Sequence, residues 1–119
     1  MENFRKEFTK RVYAWVIVLI KFIDELPRGT VSYTIGKQLL RSGTSILGNY
    51  AESESASSKK DFINFLTYSL KSANESHIWL NLLRDTKRGD EKEVAILIKE
   101  LDEIAKILAS SILTLKGKK

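Results

Sequence analysis

The sequence of 119 residues contains no cysteine, one histidine, one proline and six glycines. Without cysteine, the chain can form neither a disulfide nor a thiolate nucleophile nor a zinc site of the usual cysteine type. A single histidine cannot supply the repeated Glu-x-x-His pairs of a di-iron bundle. Proline and glycine are too scarce for a β-sandwich or barrel, which needs a turn about every ten residues. We therefore expect neither a metal nor another cofactor, and a helical domain.

Long apolar runs are also missing. The longest covers residues 12–20 and is followed by Lys21, whereas a membrane-spanning helix needs about 20 apolar residues. The residues that follow offer no small-residue cleavage site of the signal-peptide kind. We expect a cytoplasmic protein that does not contact a membrane.

Apolar residues instead recur at helical spacing throughout the chain, which predicts one all-α domain over residues 1–119. Four helices are expected, over about residues 3–25, 31–53, 58–88 and 91–116. Ser58 with Asp61 and Asp90 with Glu93 resemble N-terminal caps, and Gly89 is expected to end the third helix. Because the connections are short, the helices should form an antiparallel up-and-down four-helix bundle.

The first predicted helix is apolar on two sides. One stripe suits the bundle core and consists of Phe4, Phe8, Val12, Trp15, Leu19, Phe22 and Ile23. Tyr13, Ile17 and Ile20 form a second stripe on the opposite side. One bundle core can cover only one of the two stripes, so the second predicts a subunit interface in a homo-oligomer.

A row of polar residues accompanies the apolar side of the second helix. We interpret it, together with two residues of the third helix, as a structural polar network, since buried polar groups need partners and can fix helix register. Its members are Gln38, Arg41, Ser42, Ser45, Asn49, Glu52, Ser72 and Glu75. The alternative is a catalytic carboxylate pair, Glu52 with Glu75, but no pattern indicates a pocket for it. We therefore predict no enzyme activity.

The positive charge of the chain is modest, with 20 Lys and Arg against 15 Asp and Glu and a net charge of +5. With four helices, the start of the first, the start of the third and the end of the fourth share one end of the bundle. That end would collect Lys116 and six residues that we predict to contact nucleic-acid phosphates. The six are Arg5, Lys6, Lys59, Lys60, Lys118 and Lys119. In an oligomer these charges would be pooled, and phosphate attraction grows with the number of contacts.

Several segments of the second and third helices resemble one bacterial family, the 23S rRNA-intervening sequence proteins. Residues 38–46 read QLLRSGTSI, residues 49–52 read NYAE, residues 60–62 read KDF and residues 72–75 read SANE. Two positions depart from the family pattern: Tyr50 stands where isoleucine is usual, and Ser53 where glycine is usual. The likeness covers nearly the whole chain.

The resemblance implies an antiparallel four-helix bundle that assembles as a homopentamer and has no established enzyme activity. It also implies a relation to the accessory variability proteins of diversity-generating retroelements, a branch that binds nucleic acid and a reverse transcriptase. We therefore expect a non-enzymatic homo-oligomer that binds RNA or DNA through its pooled basic surface. The alternative is an interaction scaffold that binds a protein partner and no nucleic acid.

Overall fold

The computed structural model describes residues 2–117, which form four α-helices and no strand. They are α1 (Glu2–Asp24), α2 (Thr30–Ser53), α3 (Lys59–Asp85) and α4 (Glu91–Leu115). Each helix packs side by side with two others, α1 with α2 and α4, and α3 with α2 and α4. The result is an antiparallel bundle measuring 45 × 23 × 22 Å, so the predicted fold class is confirmed. Among residues 2–117, no helix is long and apolar enough to cross a membrane.

The core runs along the axis between the four helices. Every helix contributes fully buried side chains, such as Leu19 of α1, Leu39 of α2, Leu80 of α3 and Leu97 of α4. Burial of each such side chain stabilises the fold by about 1.5–3 kcal/mol. Trp15 adds a polar link between α1 and α4, because its indole Nε1 donates a hydrogen bond of 3.0 Å to the carbonyl of Leu97.

Two helices begin at the caps expected from the sequence. The Ser58 hydroxyl accepts a hydrogen bond of 3.0 Å from the backbone N–H of Asp61. The Asp90 carboxylate accepts one of 3.0 Å from the backbone N–H of Glu93. Each cap satisfies a backbone donor that the first turn of a helix leaves unpaired, so both predicted starts are confirmed.

The end of α3 differs from the prediction, because the helix stops at Asp85 and not at Arg88. The N–H of Arg88 donates to the carbonyl of Leu83 at 2.9 Å, and the N–H of Lys87 donates to that of Arg84 at 3.1 Å. These two bonds form a Schellman motif, in which the residue after the cap adopts a left-handed conformation. That residue is Lys87, with φ of 57°, and not the expected glycine.

Gly89 has a different role, in the connection between α3 and α4. Its φ is 86°, and a Cβ placed there would lie 2.6 Å from the Phe22 ring. The connection therefore packs directly on the end of α1. Position 89 needs glycine because its backbone conformation is left-handed and because a side chain there would clash with Phe22.

Another glycine lets α1 and α2 approach each other closely. Gly43 is buried in α2, and a Cβ at this position would overlap Leu19 Cδ2 and lie 3.4 Å from the Trp15 ring. Gly48, five residues further along α2, has open space around it. The two glycines therefore differ in packing while sharing a helical backbone.

We expect Gly48→Ala to raise the free energy of unfolding by about 1 kcal/mol, because alanine favours the helix over glycine. Gly43→Ala should lower it, since overpacking a core costs about 1–3 kcal/mol and exceeds the gain in helix propensity. Urea unfolding at a fixed protein concentration measures both variants. Equal stabilisation by the two substitutions would contradict the close packing at Gly43.

Lys87→Gly should raise the free energy of unfolding by about 1 kcal/mol, because the left-handed conformation costs a non-glycine residue about that much. Arg88→Gly is the matched control, since it removes a neighbouring cation from a residue without a positive φ. The same urea titration compares the two. A gain for Arg88→Gly as large as that for Lys87→Gly would contradict the account of strain at Lys87.

Candidate nucleic-acid interface

Positive side chains gather at one end of the bundle, which we call the basic pole. Among residues 2–117 it comprises Arg5 and Lys6 of α1, Lys59 and Lys60 of α3, and Lys116 just after α4. The antiparallel order brings these three chain segments together. The other two predicted phosphate contacts, Lys118 and Lys119, lie outside the described residues.

Arg5 provides direct contact between the start of α1 and the start of α3. Its guanidinium carbon lies 4.9 Å from the centre of the Phe62 ring. Such a cation–π contact is worth about 0.5–1 kcal/mol at an exposed site and orients the guanidinium. Arg5 therefore has a defined position at the pole.

Carboxylates lie at the same pole, a feature that the sequence analysis overlooked. Glu52 and Glu54 are at the end of α2, which points toward this pole, and Asp61 is in the first turn of α3. Asp61 serves the helix start, because its carboxylate accepts a hydrogen bond of 3.1 Å from the backbone N–H of Ser57. Glu7 also follows Lys6 on α1, so the pole is a mixed surface of cations and acids.

A groove of about 250 Å³ opens at the basic pole, and we call it the pole groove. All four helices line it. Its lining residues are Phe4, Arg5, Tyr50, Phe62, Leu66, Ser110, Ser111, Thr114 and Leu115. Among the described residues, the lining contains three aromatic rings, hydroxyl groups and one cation, and it contains no carboxylate.

The aromatic residues of the pole groove belong to a packed series. Tyr50 meets Phe8 edge to face, with ring centres 4.8 Å apart, and Phe8 lies parallel to Phe4 with centres 6.3 Å apart. Burial raises the pKa of Tyr50, an effect that Arg5 opposes and Glu54 reinforces. Phe4, expected in the core, is 48% exposed, because the first turn of α1 lies at the end of the bundle.

The polar row of α2 faces α3 along one side of the bundle, where part of it forms a cluster. Arg41 donates to Gln38 Oε1 at 3.0 and 3.1 Å and forms an ion pair with Glu75. Trp79 Nε1 donates to the same carboxylate oxygen of Glu75 at 3.0 Å. Two donors thus engage Glu75, and this carboxylate is part of a polar cluster between α2 and α3.

Serines form the buried part of the contact between α2 and α3. The hydroxyls of Ser42 and Ser76 are 2.8 Å apart, and Ser76 also donates to the carbonyl of Ser72 at 2.8 Å. Ser69 donates to the carbonyl of Ile46 at 2.8 Å. These hydrogen bonds satisfy hydroxyls that would otherwise be buried without partners.

Two of the remaining members of the row form side-chain hydrogen bonds within α2. Ser45 donates to the carbonyl of Arg41 at 2.8 Å, and Asn49 donates to that of Ser45 at 2.9 Å. Glu52 is exposed, and its carboxylate takes part in no hydrogen bond or ion pair among the described residues.

The hypothetical pairing of Glu52 with Glu75 is wrong. Glu75 binds Arg41, which precedes Glu52 by three turns of the same helix, or about 16 Å. The antiparallel register therefore holds the two carboxylates apart.

Two polar contacts with α4 were not foreseen from the sequence. Arg11 donates to both carboxylate oxygens of Glu100, at 2.6 and 2.8 Å, and this bond raises the pKa of Arg11. His77 Nε2 lies 3.1 Å from the Asp102 carboxylate, and its Nδ1 lies 3.0 Å from Asn81 Nδ2. Among residues 2–117, no group of three His, Cys, Asp or Glu side chains is arranged to hold a metal ion.

The second apolar stripe of α1 lies on the surface of the single chain. Tyr13, Ile17 and Ile20 are 58%, 39% and 37% exposed. Exposed apolar residues also occur on α3, where Ile78 and Leu82 are one turn apart. Because α1 and α3 occupy opposite corners of the bundle, these are two separate apolar patches.

The chain matches the family model described as 23S rRNA-intervening sequence protein over residues 6–110. It also resembles the crystal structure, at 1.70 Å resolution, of a protein of unknown function from the S23 ribosomal protein family of Bacteroides thetaiotaomicron VPI-5482. That likeness has a TM-score of 0.83 at 33% identity and covers 91% of this chain and 96% of the other. No curated protein sequence matches. Since the family model spans most of the helical bundle, the chain belongs to the 23S rRNA-intervening sequence protein family.

Proposed function

We propose that this protein is a non-enzymatic homo-oligomer that binds RNA or DNA through the basic pole. The observation that carries the proposal is the convergence of cations from three chain segments on one end of the bundle, beside Arg5 and the pole groove. Lysine and arginine side chains that reach several phosphates supply most of the affinity in such complexes.

The position of the lysines on α3 supports a role in binding. Lys59 and Lys60 are the first two residues of that helix, where the positive end of the helix dipole disfavours a cation. By contrast, α4 begins with the acidic residues Glu91 and Glu93 in its first turn. The lysines of α3 do not serve helix stability, which is consistent with a role toward an anionic partner.

The two apolar patches support the oligomer. Patches on opposite corners of a bundle suit a heterologous contact, in which the α1 stripe of one copy meets a different surface of the next. Such contacts form a ring when the rotation between copies closes, and a ring with its symmetry axis along the bundle axis would place every basic pole on the same side. A pentamer, as the family resemblance implies, would pool five such poles.

The double variant Lys59→Gln with Lys60→Gln should weaken RNA and DNA binding and flatten its salt dependence. Each phosphate contact contributes about 0.7–0.9 to the slope of log K against log salt, so the slope should fall by about 1–2. Fluorescence anisotropy across a salt series measures it. Lys92→Gln with Lys99→Gln removes the same charge from exposed positions of α4 and serves as the control. Equal losses for both variants would contradict a localised site.

Ile17→Glu with Ile20→Glu should produce smaller particles that remain helical, because two carboxylates would be buried without partners at the interface. Light scattering gives the mass and circular dichroism the helix content. Leu113→Glu, at a residue 44% exposed on α4, is the control and should leave the mass unchanged. An unchanged mass for the double variant would exclude this stripe from the interface.

A protein-binding scaffold is the second candidate function, favoured by a groove of about 500 Å³ at the opposite pole. Its lining combines apolar residues with two exposed cations, including Ile23, Leu26, Tyr33 and Leu40 with Arg28 and Lys37. Pull-downs before and after nuclease treatment distinguish the two functions. A partner retained after nuclease, together with no RNA or DNA binding by the purified protein, would favour the scaffold.

A further inference from the structure

The pole groove has features that simple phosphate binding does not need. Lysines on an open surface suffice to neutralise phosphates, whereas this groove is lined by Phe4, Tyr50 and Phe62. Phe4 leaves nearly half of its surface exposed, although Phe8 behind it is buried and holds it in a parallel stack. A positioned, exposed aromatic ring beside cations is the arrangement that single-stranded nucleic-acid binders use for stacking.

Arg5 supplies a second flat surface at the same groove. Its guanidinium is held over Phe62, so its plane is oriented by one partner. A guanidinium can stack on a base and can also bind a phosphate through its N–H donors. Arg5 is therefore placed where a base and the phosphate next to it would meet the protein.

The size and charge of the groove indicate what it can accept. Its volume of about 250 Å³ lies below the range of about 300–1,000 Å³ that drug-sized ligands occupy, so it suits one flat ring. The described lining residues include no carboxylate to repel a phosphate, and Lys59, Lys60 and Lys116 belong to the adjoining chain segments. The ligand that fits is a flat ring attached to an anionic backbone.

We infer that the pole groove binds one unpaired base of a single-stranded nucleic acid, with the base stacked on Phe4 and the adjoining phosphates at Arg5 and the lysines of the basic pole. The inference rests on the proposed function and narrows it to single strands. In a duplex, each base is stacked and paired within the helix and presents only its edges. A duplex can therefore satisfy the lysines but leaves the groove empty.

The test compares three labelled ligands of equal length at low salt: a single-stranded RNA, the same strand with abasic sites in place of its bases, and a duplex. The wild-type protein should bind the intact single strand at least about fivefold more tightly than the abasic strand, given the usual contribution of one stacked base. Phe4→Ala should remove this advantage and leave affinity for the abasic strand and the duplex within about twofold.

Tyr68→Ala is the matched control, because Tyr68 on α3 is 48% exposed, as Phe4 is, and lies outside the pole groove. This variant should retain wild-type affinity for all three ligands. A single strand that carries 2-aminopurine gives a second readout, since stacking quenches its fluorescence. The wild-type protein and Tyr68→Ala should quench it, and Phe4→Ala should not.

The outcomes separate the inference from the proposed function. Equal affinity of the wild type for intact and abasic strands, or equal weakening of all ligands by Phe4→Ala, would overturn base binding in the groove while the basic pole remains a phosphate site. Failure of the wild-type protein to bind any of the three ligands at low salt would overturn both proposals. Circular dichroism of Phe4→Ala checks that a loss does not come from unfolding.

Discussion

The close pairing of α2 with α3 is the contact on which the rest of the bundle depends, and it is the most extensive of the helix contacts. Small buried side chains line it, namely Ser42, Ser69, Ala73 and Ser76. The bonds from Ser42 to Ser76 and from Ser69 to the Ile46 carbonyl join the two helices inside the core. A shift of one helix along the other would break both bonds and leave the Ser69 hydroxyl buried without its partner, so the bonds favour a single register.

That register determines what can form on the outside of the pair. It places Arg41 beside Glu75, with Gln38 and Trp79 completing the cluster. It also keeps Glu52 about three helical turns away from Glu75, so these two carboxylates do not form a pair. An exposed ion pair of this kind contributes at most about 1 kcal/mol, so the cluster follows from the helix pairing and does not create it.

The antiparallel order also determines the character of the basic pole. Two helices begin there and two end there, so their dipoles point in opposite directions and largely cancel. The electrostatic field at the pole therefore comes mainly from side chains, from lysines and arginine partly offset by Glu52, Glu54 and Asp61. The pole groove differs from this mixed surface, because Arg5 is its only charged lining residue among those that the structure describes.

Much of the fold could be predicted from the sequence, because it depends on local patterns. Apolar spacing identified the four helices, and the Ser58 and Asp90 caps marked two of their starts. The prediction was wrong at the end of α3, where the pattern favoured Gly89 as the terminator. Lys87 takes the left-handed position instead, since Gly89 is needed where the connection packs on Phe22.

The sequence by itself determined the helices, the absence of cysteine chemistry, the second apolar stripe of α1 and the family resemblance. Each of these depends only on the spacing or the composition of residues along the chain. Only the tertiary structure decided which distant side chains meet: Arg5 with Phe62, Arg11 with Glu100, and His77 with Asp102. It also decided that Phe4 lines a groove and is not buried in the core. The physical reason is that helical periodicity gives the direction of a side chain around its own axis, whereas the groove depends on how four helix ends are offset along the bundle.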